Sequence, residues 1–257
     1  MIHPKAIIHP NAIIHKTVEI GPFAVIDENV KIEAGCIIGP QVHLTGHTTI
    51  GKDNRFHTGC VIGDSPQDVK YKEEPTKLII GGQNTFREHV TIHRSNSLDE
   101  DTVIGSGNML MANSHVGHNS TIGDRVILAN GALVGGHAII GNGAFLSGNA
   151  VVHQFCRVGS LAMMQGCAGV SLDLPPFTIV RGINGMCGLN SIGIKRAGYS
   201  NDERNELKQT YRTIFMGNEL LSDAINKARK QFNGSLSRLL IDFVANSDRG
   251  TCSHTKR

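Results

Sequence analysis

Tryptophan is absent from this 257-residue chain, and aromatic residues make up only 5% of it. A core built on large rings is therefore excluded, and the interior must be filled by aliphatic side chains. No apolar run approaches the ~18 residues of a membrane span, and no secretory leader pattern opens the chain, so the sequence predicts a soluble, cytoplasmic protein with no membrane insertion. The six cysteines, Cys36, Cys60, Cys156, Cys167, Cys187 and Cys252, form no C-x-x-C pair. Cys36, Cys60 and Cys156 each fall in a slot of small residues, which predicts packed, reduced thiols. A net charge of +3 is too small to indicate nucleic acid, although Lys195 with Arg196 makes a local basic patch suited to an acidic or phosphorylated partner.

What is present is a beat of six. Counting from Ile8, the frame meets Ile14, Ile20, Ile26, Ile32, Ile38, Leu44, Ile50, Phe56 and Ile62, and it runs again from Ile80 through Leu98 to Val170. Only Asp68 and Glu74 miss. Helices repeat near 3.6 and half-buried strands near 2, so neither explains this period. A hexapeptide repeat is the signature of a parallel β-helix, in which three units close one triangular coil and residues 18 apart stack. Glycine follows many frame residues, where a tight corner benefits from a missing Cβ. The frame survives the gap from Ile62 to Ile80, which predicts an external loop over 64–77 that rejoins the prism one coil later. A second excursion is expected over 94–101. Leu-Pro-Pro at 174–176 should end the strands, because proline has no ladder donor. The expected division is a β-helix over 1–186 and a C-terminal helical domain over 187–257. Ser200 with Glu203 predicts a capping box for the main helix and Ser235 caps the last one. The polar tail from Ser247 to Arg257 should fray.

Thirteen histidines exceed what a prism needs. On the 18-residue register His118 and His137 are coil neighbours, Gln154 lies two coils above His118 with His153 beside it, and His115 shares the coil of His118. Single exposed histidines are ordinary polar surface. A column of them can hold a general base, its orienter and substrate donors together. Three imidazoles on a metal, as in γ-class carbonic anhydrases, are the competing reading; it leaves the loop and the helices without a role, and no metal or cofactor is expected.

Several segments extend the pattern: Pro-Gln-Asp-Val-Lys-Tyr at 66–71, Val-Thr-Ile-His-Arg at 90–94, Asn-Met-Leu-Met-Ala-Asn-Ser-His-Val-Gly-His at 108–118, His-Gln-Phe-Cys at 153–156, Gly-Cys-Ala-Gly-Val at 166–170 and Ile-Lys-Arg-Ala-Gly-Tyr-Ser at 194–200. With these the chain resembles, over nearly its whole length, the UDP-N-acetylglucosamine O-acyltransferases that begin lipid A synthesis. The resemblance implies a left-handed β-helix, a homotrimer with clefts between subunits, and transfer of a 3-hydroxyacyl group from acyl carrier protein to the glucosamine 3-hydroxyl. By it, His118 matches the catalytic base, worth typically about 10² to 10⁴ in rate, and the Gly136 amide faces the developing oxyanion. Asp68 and Lys70 fall where the external loop reaches a neighbouring subunit's site. His115, His137, His153 and Gln154 bind or orient sugar and acyl group, Asn190 and Arg196 match nucleotide contacts, and Gly166 leaves an acyl groove open for a longer chain. The family often has an acid directly after the base. Here Asn119 stands there, so the base must be oriented by something else or be less basic. Ile192 and Ala197 replace an acid and an arginine of some members, which leaves open an acceptor with an amine at C3. The related N-acyltransferase carries an extra domain before the β-helix, small acetyl-CoA enzymes usually lack the helical tail, and an ice-binding solenoid would need a threonine face.

Overall fold

In the computed structural model, whose described residues are 1–255, the hexapeptide units become two-residue strands that ladder in parallel into three sheets. Face I runs from Ile7–Ile8 to Gly169–Val170 in nine strands, face II from Ile13–Ile14 to Arg157–Val158 in eight, and face III from Glu19–Ile20 upwards in eleven. The register is that of the sequence: Ile7 pairs with Val25, and His115 with Leu133. From Ile20 to Val170 the frame residues carried by these strands are buried, and Phe56 stacks on Phe86 inside the prism at 4.6 Å between centroids. Cys36, Cys60 and Cys156 lie buried and unpaired in the slot two places before the frame, and Cys36 donates to the Gly51 carbonyl.

The excursions depart from expectation. Ile50 pairs with Ile80 and Ile80 with Ile104, so the ladder offset grows to 30 and then 24 residues. The chain leaving Ile62 on face I re-enters on face II, the next face, and not one coil later. Likewise Leu98 is a loop residue, 61% exposed, and not part of the frame. Both excursions therefore leave from one place, the edge between faces I and II. Excursion 64–77 is pinned by Arg94, which donates to the Gly63 carbonyl, the Ser65 hydroxyl and the Tyr71 phenol.

The prolines do not end the solenoid at once. Val158 bridges to Leu174 in parallel and Met164 pairs with Val180, a shortened coil, before strand Gly185–Leu189 turns back antiparallel across the expected boundary at 186. Four helices follow: α1 Ser191–Arg196, α2 Asn201–Phe215, α3 Leu221–Gln231 and α4 Ser235–Ala245. The Ser200/Glu203 capping box forms at α2. At α4 the N-cap is Gly234 and no side chain caps it; the Gly234 amide is taken up by Glu206 of α2. The tail does not fray through Thr255. Strand Ser253–His254 adds to Gly185–Leu189, Cys252 is buried, and His254 meets the Tyr211 hydroxyl at 2.9 Å. Lys256 and Arg257, the last part of that expectation, lie outside the described residues.

Candidate active site on the edge between faces I and II

Above the two excursions, the same edge carries the corners Gly117–Asn119, Gly135–His137 and His153–Phe155. In each, the third residue takes the left-handed conformation: Asn119 at φ 58°, His137 at 58° and Phe155 at 64°. That geometry disfavours most L-residues, Asn least, and aims three successive side chains the same way. His137 accordingly stacks on Phe155 at 4.6 Å, and the rings of His118 and His137 meet edge-to-face at 5.2 Å. His115, on the strand below, donates to or accepts from Thr91 at 2.8 Å and packs edge-to-face on His93. His153 and Gln154 are exposed at the top of the column, with the His153 ring at 3.1 Å from the Gln154 carbonyl.

The hydrogen bonds assign the protons. The backbone amide of Asn96 donates to Asn119 Oδ1, while Asn119 Nδ2 donates to Ser95 Oγ and Glu100 Oε2. Oδ1 is thus an acceptor towards His118 Nδ1, 2.8 Å away, so in the neutral ring Nδ1 holds the proton and Nε2 keeps its lone pair. Asn119, the residue that stands where the family often has an acid, thus itself makes the contact to the His118 ring. Gly136 lies directly over that nitrogen: a Cβ there would stand 3.0 Å from His118 Nε2. On the next edge, the corner amides of Ser106 and Asp124 donate to side-chain oxygens of the coil above. Among the described residues the Gly136 amide, in the matching corner position, has no such acceptor.

Asp68 joins this network within its own chain. Asn96 Nδ2 donates to Asp68 Oδ2 at 2.7 Å, and the Lys70 amide to Oδ1 at 2.9 Å. Those two hydrogen bonds, the Lys70 amide foremost, hold its carboxyl below the usual range. These bonds tie Asp68 to the network of its own chain; the Lys70 side chain is exposed and makes no bond among the described residues. Burial pushes His115 down to about 4 and lowers His93 as well.

The other expected residues lie elsewhere. Asn190 caps α1, accepting from the Gly193 amide and donating to the Leu161 carbonyl on the edge between faces II and III. Its amide is therefore engaged in structure. Arg196, in the last turn of α1, is exposed. Gly166 sits on the third edge, where a Cβ would meet only the Gly148 carbonyl at 3.6 Å. The recess beside His137 and Phe155 holds about 140 Å³, against roughly 300–1,000 Å³ for a small-molecule site. Sequence reasoning missed Asn96 and Glu100; the six-residue lengthening between Ile92 and Ile104, rich in Ser, Asn and acids, was their one signal. No group of His, Cys, Asp or Glu among the described residues is arranged to hold a metal ion, and no helix among them is long and apolar enough to cross a membrane.

Known proteins match this architecture closely. A family model described as Udp N-acetylglucosamine O-acyltransferase, Domain 2, matches residues 173–252, and one described as bacterial transferase hexapeptide (six repeats) matches 29–64 and 101–136. The UDP-N-acetylglucosamine O-acyltransferase of Halorhodospira halophila, named for an acyl-carrier-protein donor, is 40% identical over 97% of this chain and 98% of its own length. Its namesake in Thermodesulfovibrio yellowstonii is 42% identical over 98% of both. The crystal structure of the Moraxella catarrhalis UDP-N-acetylglucosamine O-acyltransferase has a TM-score of 0.93 at 36% identity, covering 98% of this chain and 99% of that one. With its left-handed β-helix of hexapeptide turns, its helical tail and this identity over almost its entire length, the chain belongs to the UDP-N-acetylglucosamine O-acyltransferases.

Proposed function

We propose that this protein transfers a 3-hydroxyacyl group from acyl carrier protein to the 3-hydroxyl of UDP-N-acetylglucosamine, with His118 as general base. The observation that carries the reading is the Asn119 contact, which in the neutral ring puts the proton on Nδ1 and leaves His118 Nε2, close beside Gly136, as the acceptor. In the reaction the sugar oxygen attacks the thioester carbonyl while Nε2 takes the hydroxyl proton. The negative charge that builds on the carbonyl oxygen is met by the Gly136 amide, a donor fixed before the reaction begins. As the C–S bond breaks, His118 returns its proton to the departing carrier-protein thiolate, so the ring ends neutral and the products are an O-acyl sugar nucleotide and a thiol. His115, His137, His153 and Gln154 bind or orient the acceptor and the acyl group, Asp68 and Lys70 bring the external loop to a site, and Gly166 keeps the acyl groove open. Asn190 and Arg196 serve the nucleotide, Arg196 through its free guanidinium. The corresponding division of labour is a β-helix over 1–186 and a helical unit over 187–257 in a cytoplasmic enzyme.

His118 and Gly166 lie on two different edges of the prism, and Arg196 on helix α1, whose cap Asn190 bonds to the third edge. A cyclic homotrimer brings such positions together by setting the edge of one copy against another edge of the next. Exposed Leu133, Ile139, Val151 and Phe155 beside the histidine column support that reading, since an apolar stripe of this kind marks an association surface.

The test is incubation of the purified protein with UDP-N-acetylglucosamine, or its 3-amino analogue, and 3-hydroxyacyl carrier protein. The hydroxyl acceptor is expected to give the mono-acylated sugar nucleotide, and His118→Ala to lose it by a factor of about 10² or more. Product from the amine alone, or an undiminished His118→Ala rate, contradicts the assignment.

A further inference from the structure

Glu100 sits on the second excursion with its side chain half-exposed, yet a single oxygen of it, Oε2, lies 3.1 Å from Asn119 Nδ2 and 3.2 Å from His137 Nδ1. We infer that Glu100 is a positioning residue, the acid that in this chain stands behind Asn119 and sets where the protons lie on both His118 and His137. The inference rests on the reading of His118 as base.

The physical basis is that a carboxylate offers acceptors only. Its oxygen therefore requires an N–H from each neighbour. From His137 it draws the Nδ1 proton, leaving Nε2 of that ring as an acceptor. From Asn119 it draws the amide NH₂, which turns Oδ1 towards His118 and draws the Nδ1 proton of that ring in turn. Ser95 Oγ, at 2.9 Å, and the Asn96 amide, at 3.0 Å, hold Asn119 in the same sense. The carboxylate that usually follows the base thus has its counterpart one residue shell further out, on a loop, and here it serves two rings. A solvated ion pair contributes little to stability, so the expected consequence is on proton placement and not on folding.

The decisive experiment is a double-mutant cycle between Glu100→Ala and Asn119→Asp, read as kcat and KM in the acyl-transfer assay and as side-chain ¹⁵N spectra of the histidines at a pH where the rings are neutral. In the wild type both rings should show the Nδ1–H form. Glu100→Ala should lower kcat about ten- to a hundred-fold, the range for outer partners that orient an imidazole, with little change in KM and with mixed proton placement on His137. Asn119→Asp alone should also be slow, because it sets two carboxylates against each other. In the double variant the introduced carboxylate accepts the His118 proton directly, so kcat should recover most of the loss, a non-additivity that a merely structural pair does not give. Asp99→Asn, a neighbouring exposed acid, is the control and should change nothing. Wild-type kcat in Glu100→Ala, or a double variant no faster than the slower single one, overturns the inference while leaving His118 as base; a wild type inactive on the sugar nucleotide overturns the functional reading, and the spectra then still decide the placement.

Discussion

His115 shows at the scale of one residue what burial does to an imidazole in this column. Its burial, aided by the neighbouring His93 and His118, pushes it down to about 4 from 6.5. In the unfolded chain the ring takes a proton below about 6.5, whereas in the folded chain it does so only near 4. Between those limits the unfolded state binds more protons, so stability falls as pH drops from 6.5 towards 4 and is unaffected above that window. The ring contributes at most about 3 kcal/mol to this loss, and His93 adds in the same direction. Urea unfolding of wild type and His115→Gln near pH 7 and near pH 4.5 should show a smaller drop in the variant; equal drops would contradict the burial of a neutral ring. The column itself was legible in the sequence, because stacking in a β-helix is arithmetic on 18. Glu100 was not, since its place depends on the path of an excursion that no register fixes.

Among the elements, the coil corners carry more structure than their composition suggests. The slot two places before the frame reads as small in the sequence, and Cys36, Cys60 and Cys156 fit that. On face III the same slot holds Asn54, Asn84 and Asn108, which form a buried ladder. Asn84 accepts the Asn108 amide and donates to the Gly81 and Gly105 carbonyls, while Asn54 accepts the Asn84 amide. Asparagine reads as surface in a sequence; here it replaces corner hydrogen bonds inside the wall, and nothing in the periodicity signals that. Each buried backbone group left without its partner costs about 1–3 kcal/mol. Asn84→Ala should therefore lower unfolding stability by about 3 kcal/mol in denaturant titration, and an unchanged midpoint would contradict the ladder's role. The excursions show the converse: the frame persists through them by count, so Leu98 counts as core in the sequence although its six-residue unit never enters the wall.

For the whole molecule, the solenoid, its extent and its helical tail were readable because one period governs most of the chain. The tail beyond Ser247 was not, because its order comes from pairing with Gly185–Leu189, a contact that local polarity does not announce. The edges also bear on which residues of different copies would meet in a trimer. Asp68 is linked to its own chain's His118 through Asn96 and Asn119, whereas Arg196 sits on α1, whose cap Asn190 bonds to the edge between faces II and III. In a cyclic trimer each site would take its base from one copy and its nucleotide contact from the next. Co-expressing His118→Ala and Arg196→Ala chains and assaying acyl transfer in the purified hybrids tests this arrangement directly. Random assembly should leave about a quarter of the sites with both groups intact, so hybrids are expected to recover about that fraction of wild-type activity from two nearly inactive parents, whereas hybrids no more active than the parents would contradict a site shared between edges.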